Sequence, residues 1–376
     1  MKNFRTIFYY EWKKIWMSRI TLVAFVVLFA FSLLQGVMEV RGNYPDGSIE
    51  LFQEIDGRTL DDDLLKELHA AADEYGTFWN ETNYIYMELC DFVRECVGYG
   101  TKISDHDAAN VYEMRLDNID AAKVMSSLST EEVSYWDAQE ESLAKPFVWR
   151  NIVVEKELLN SLANVMIMLA LFLPLALAGV FASEHSLKTY NILRATKHGR
   201  LVVYGAKVLA GSLTALVSFV AFAGGTILTS ALYWHLDALD AAVQLAFPFT
   251  SLHMSVGTLI GIMVVLLFTA TLLFAAFSMF FSQVMRHSLA VMGACIGGYF
   301  VMFAIATTIP TSARGLSQAL SLFPATFVSP RLVYEYRMIP AFGHLLLGYQ
   351  FAPALYLVVA AFLLVLGGAL YRGKRG

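Results

Sequence analysis

Apolar residues along the chain fall into two kinds of pattern. Six stretches carry no charge at their centres: residues 20–38, 161–182, 207–234, 255–282, 288–309 and 351–371. Uncharged apolar runs of about 18 residues or more are long enough to cross a bilayer as helices. Elsewhere the pattern is periodic. In residues 1–19, Phe4, Phe8, Trp12, Ile15 and Trp16 recur at intervals of three or four among Lys2, Arg5, Lys13, Lys14 and Arg19, which predicts an amphipathic helix lying in the headgroup region. Within residues 39–157, segments such as TLDDDLLKELHAAADEYG and DAANVYEMRLDNIDAAKVMSSL repeat apolar positions at helical spacing, with Thr59 and Asp107 as helix starts. Residues 310–350 are apolar but broken by Pro310, Pro324, Pro330 and Pro340, which predicts short helices re-entering one leaflet. A seventh span hidden there would move the C-terminus across the membrane and break the charge rule below. The expected fold is therefore an all-α integral membrane protein. It has six transmembrane helices, an N-terminal interfacial helix, a helical extracytoplasmic domain between spans one and two, and re-entrant helices before the last span.

Charge gives this arrangement a direction. Residues 39–157 hold 27 acidic and 10 basic residues, a net of −17, while the rest of the chain holds 5 acidic and 17 basic, a net of +12. Cations in short loops mark the cytoplasmic side, so both termini are expected inside and residues 39–157 outside a bacterial cell membrane. An outer domain so acidic would raise the local concentration of cationic solutes. Cys90 and Cys96, six apart, would point away from each other on one helix, so a disulfide between them needs a break in that helix.

Several function classes lose support. Ion-coupled carriers need ionisable groups at membrane depth, and the centres of the six stretches have none. No G-x-x-x-x-G-K-[ST] loop is present, so the chain lacks its own phosphate-cradling engine, and neither H-E-x-x-H nor G-x-S-x-G occurs. No enzyme activity, metal or cofactor is expected in this chain, and no nucleic-acid partner. Any energy must come from a protein docking on the cytoplasmic side.

The longest cytoplasmic loop, residues 183–206, offers such a partner a handle. Leu187, Tyr190 and Leu193 form an apolar ridge at three-residue spacing, with Lys188, Arg194, Lys197 and Arg200 as cations beside it. An amphipathic ridge of this kind fits a groove on another protein. Taken singly, these cations are ordinary positive-inside anchors. Glu11 lies in the apolar arc of residues 1–19, where an unpaired carboxylate is costly; the expected partner is Lys14, or less favourably a cation of the loop. Gly257 with Gly261, and Gly293 with Gly297, are small-residue pairs that let helices approach closely, and intrachain packing is their ordinary use.

The order Phe181, Glu184, Thr189, Leu193, Arg200 and Lys207, preceded by Glu11 and Lys14 in the amphipathic lead, resembles the permease subunit of the ABC-2 class of ABC transporters. One departure is Lys188, where that family usually has Gly before Thr. The resemblance implies that residues 184–196 form a coupling helix, with Glu184, Leu187, Tyr190, Leu193, Arg194 and Arg200 facing a separate ATP-binding subunit that carries ATP and Mg. It also implies that a second permease copy, or a homologous one, completes the pathway, with Gly293 and Gly297 on span five as candidate dimer contacts. Relatives export peptides, drugs, lipids and glycans. The competing expectation from another class is a membrane-anchored sensor or scaffold whose outer domain binds a ligand.

Overall fold

The computed structural model describes residues 2–45, 47–73, 76–77, 81–186, 199–309, 313–341 and 343–373. Six helices are long and apolar enough to cross a membrane: span one (Arg19–Asn43), span two (Val153–Glu184), span three (Leu201–Tyr233), span four (Val256–Val284), span five (Ser288–Thr308) and span six (Gly348–Arg372). The apolar runs set their existence, and their ends are set by local chemistry. Ser18 caps span one and Ser255 caps span four, each side chain accepting a backbone N–H of the first turn. The helices of spans one and two run on past the apolar stretches, so that Glu39, Glu155 and Glu157 belong to continuous helices and not to the acidic domain.

Spans two and four are the most buried and form the centre of the bundle. Span four packs on spans two, three and six; span one packs on spans two and three. The short helix Lys2–Trp16 lies mainly against span three, with Ile15 buried and Phe8, Trp12 and Trp16 packed on the core. Spans one and three cross closely at Gly36, where an added Cβ would stand 2.8 Å from the Thr226 carbonyl oxygen.

The acidic residues between spans one and two form a helical domain seated on one end of the bundle. Its main helices are Asp62–Ala71, Met87–Val97, Ala108–Met125 and Thr130–Glu141. Asp107 caps the third as its sequence suggests, but Thr59 starts no helix. It bridges to Val148, and Asp61 caps the first helix instead, its carboxylate accepting the N–H groups of Asp63 and Leu64. Cys90 and Cys96 are both buried as free thiols on one helix; burial pushes the first up to about 11 and the second up to about 12.

Residues 313–347 fold into short helices, Arg314–Ser321 and Pro324–Phe327, a 3-10 turn at Pro330–Tyr334, and an antiparallel hairpin pairing Ile339–Ala341 with His344–Leu346. That hairpin is the one sheet among the described residues of an otherwise helical chain. It turns at Gly343, whose φ of +79° suits a residue without a Cβ.

Candidate functional site

At the end of the bundle opposite the acidic domain, span two does not run straight out. Pro174 has no N–H, and the helix is interrupted at Ala178 before resuming as Gly179–Ser186. Ser282 of span four enters the interruption. Its hydroxyl accepts the N–H groups of Phe181 (3.0 Å) and Ala182 (3.1 Å) and donates to the carbonyl of Ala178 (2.7 Å). In an unbroken helix those two N–H groups would bond the carbonyls four residues back. A side chain inserted into that ladder is a recognised cause of a bend, and here it fastens the resumed helix to span four.

The resumed helix carries Glu184, which is 4% exposed, into contact with Lys207, which is fully buried on span three. Lys207 Nζ lies 2.8 Å from Glu184 Oε1, donates to Glu11 Oε2 at 3.0 Å and to the Val180 carbonyl at 2.7 Å, and sits 5.4 Å from the centre of the Phe181 ring. One ammonium on span three thus spends its three donors on two other segments, the resumed helix through Val180 and Glu184 and the N-terminal helix through Glu11. Phe181 is also stacked on Tyr204 and edge-on to Tyr371 of span six. Lys14 donates to Ser183 Oγ at 3.2 Å, adding a second tie from the N-terminal helix to the resumed one. Burying such charges is costly unless each is paired, and removing one partner leaves a charge stranded in low dielectric.

The expected pairing of Glu11 with Lys14 is corrected by this arrangement. Glu11 meets Lys207, and Lys14 reaches Ser183. The reason is geometric: Lys207 is already desolvated beside Glu184 and has a donor to spare, whereas Lys14 stays near the surface. Leu187, Tyr190, Leu193 and Arg194 lie outside the described residues, and Arg200 is described only as backbone within a helix. Of the expected coupling residues, Glu184 alone is placed with its side chain. Ser282 went unnoticed in the sequence because a serine in an apolar span looks like any other small residue; only its place at the break around Ala178 gives it a role.

Gly293 and Gly297 contradict the ordinary reading of small-residue pairs. No described residue comes within 4 Å of where a Cβ would stand on either, so neither packs on another helix among the described residues. The span that bears them is largely uncovered, with Leu289, Phe300, Val301 and Phe303 exposed.

At the other end, the acidic domain is held by buried polar contacts. Arg115, fully buried, pairs with Glu140 at 2.6 Å and donates to the carbonyls of Pro248 (2.6 Å) and Thr250 (2.9 Å) in the connection between spans three and four. Glu140 also takes Lys145 at 2.7 Å and the Ser251 hydroxyl at 2.8 Å. Burial would push its carboxyl up, but Arg115, Lys145 and Ser251 together hold it below its ordinary value. Glu132, the third residue of a capping box with Ser129, accepts from Arg314 and from the N–H of Met338 (2.7 Å), and is held down in the same way against burial. Trp136 donates its indole N–H to the Tyr336 carbonyl at 2.7 Å. Arg314 and Arg337, cations on the side where cations are scarce, are thus structural: Arg314 holds Glu132, and Arg337 pairs with Glu335 and donates to Ser317.

Among the described residues no group of three or more metal-ligating side chains is assembled. Set against known proteins, the chain matches no family model, no curated protein and no solved structure, so the argument for function rests on these contacts.

Proposed function

We propose that this chain is the membrane-spanning subunit of an ATP-driven exporter of the ABC-2 kind, energised by a separate ATP-binding subunit that holds ATP and Mg. It works beside a second copy or a homologous permease in a bacterial cell membrane, with both termini cytoplasmic and residues 39–157 outside. The short helices between spans five and six dip into the outer leaflet. The observation that carries the reading is the Lys207 junction. The root of the basic loop is fastened at one buried point to the N-terminal helix, to span three and, through Ser282, to span four. A push delivered to residues 184–196 when two ATPase subunits close is then shared by several spans at once. An anchored sensor has no use for such a junction at the side away from its ligand domain.

The test is co-purification from gentle detergent of the tagged native chain and two variants, Leu193→Asp on the expected docking ridge and Glu184→Ala at the junction. A soluble ATPase should accompany the native chain and be lost with Leu193→Asp, with monodispersity of the variant checking its fold. An ATPase absent from the native chain, or held equally by all three, overturns the reading.

A further inference from the structure

Spans one, two and three meet along polar faces toward the acidic domain. On span one, Ser32, Gln35, Glu39 and Asn43 recur at helical spacing; on span two, Glu157, Asn160, Ser161 and Asn164 do the same. Asn164 donates to Glu39 (3.0 Å), while Asn43 (3.0 Å) and Asn160 (3.3 Å) donate to the two oxygens of Glu157. Among the described residues neither carboxylate has a cationic partner, and the second oxygen of Glu39 takes no donor. Deeper along the same face, Gln35 is 3% exposed and spends its amide N–H on Thr226 (2.9 Å) and the Ser161 carbonyl (3.3 Å), leaving its own carbonyl oxygen buried without a donor.

A shallow groove of about 350 Å³ lies along span one, lined by residues of that helix alone: Gln35, Glu39 and Asn43 at its polar end, and Phe31, Leu34 and Met38, more than half exposed, along the rest. About 20 residues of helix, the distance from Ile20 to Glu39, rise ~30 Å, the thickness of the hydrocarbon layer. Glu39 therefore stands where apolar depth ends and the headgroup level begins. The groove offers acceptors without donors at its polar end and an apolar wall leading away from it into the bilayer.

We infer that this groove binds an amphiphilic amine, an alkyl chain bearing a protonated amino head, from within the membrane. The ammonium donates to Glu39 and offsets its charge, and the chain lies against Phe31, Leu34 and Met38. A cation fits best, since an anion or zwitterionic phosphate would face Glu39 with no cationic side chain among the residues lining the groove. A phospholipid with an aminoethyl head carries such a phosphate beside its ammonium, so the ligand is a phosphate-free amine. This names a substrate class for the proposed exporter and rests on that reading for transport, while binding to the chain itself needs no ATPase.

The test uses the purified full chain in phosphatidylcholine nanodiscs with two photoreactive probes of equal chain length, a diazirine-bearing dodecylamine and the corresponding alcohol. Adducts are mapped by mass spectrometry. The amine should label the segment 31–43, the alcohol should not, and unlabelled dodecylamine should compete. Glu39→Gln should cut labelling about tenfold, as expected for loss of a charge-assisted hydrogen bond. Gln35→Leu should weaken labelling less, and monodispersity of both variants checks their fold. Equal labelling by amine and alcohol, or labelling indifferent to Glu39→Gln, overturns the inference. So does competition by aminoethyl phospholipid as strong as that by dodecylamine. A bound amine with no ATPase partner would leave the groove standing and remove the export reading, so the two fail separately.

Discussion

A single ammonium, that of Lys207, holds more of this molecule together than any other side chain at its end of the bundle. Lys207→Met would leave Glu184 and Glu11 facing each other without a cation, at a cost of about 3–5 kcal/mol. Thermal unfolding in detergent should show a clear fall, part of which Glu184→Gln restores in the double variant; simple additivity would mean the pair is not coupled. Glu140 works differently, as a carboxylate held ionised against its burial. Its contribution to docking is complete above its ordinary value of 4.5 and is lost as pH falls through the lowered value of the folded state. The native chain should therefore lose thermal stability as pH falls below 4.5 more steeply than Glu140→Gln, which starts lower and depends less on acid. Asp91 and Glu95, both raised chiefly by burial, push the opposite way, which is why the comparison is with the variant and not with the slope alone. Neither role could be read from the sequence. A charge beside an apolar run announces a membrane boundary, and nothing in its neighbours tells whether it will be solvated or buried 196 positions from its partner.

Elements were more legible than contacts. Periodicity gave all six spans and the N-terminal helix, because uninterrupted apolar runs of that length have few other uses. Span ends were misplaced where polar residues continue a helix, as at Glu39 and Glu157, since polarity alone does not stop a helix whose backbone is satisfied. The interruption in span two follows Pro174, and its stabiliser comes from another span. Ser282→Ala should strand the N–H groups of Phe181 and Ala182, costing about 1–3 kcal/mol for each left unpaired. Hydrogen exchange confined to residues 178–184 should quicken; unchanged exchange there would show the helix closing on itself. Glycines separate two kinds of helix surface. Gly36→Ala meets backbone oxygen and should destabilise the folded chain, whereas a Cβ at Gly293 or Gly297 meets no described residue within 4 Å, which leaves room for Gly293→Leu with Gly297→Leu. The latter pair should keep thermal stability in the monomer and weaken self-association measured by cross-linking in the membrane; loss of stability without loss of association would remove these glycines as dimer contacts.

On the scale of the whole molecule, the acidic domain is not a tethered appendage but a lid seated on the connections that follow spans three and five. Its charge was visible in the composition; its seating was not, because the partners are backbone carbonyls and arginines in distant loops. The order of synthesis gives that seating a price in time. Trp136 bonds a residue 200 positions further along, and Glu132 bonds one 206 positions further along. At about 5–20 residues per second, the ribosome reaches those partners ~10–40 s after the domain itself has been made. Through that interval the Trp136 indole and the Glu132 carboxylate wait for partners not yet translated. Maturation of this protein is therefore governed by its last third, and a chain stalled before residue 314 would present quality-control proteases with a helical domain that cannot close.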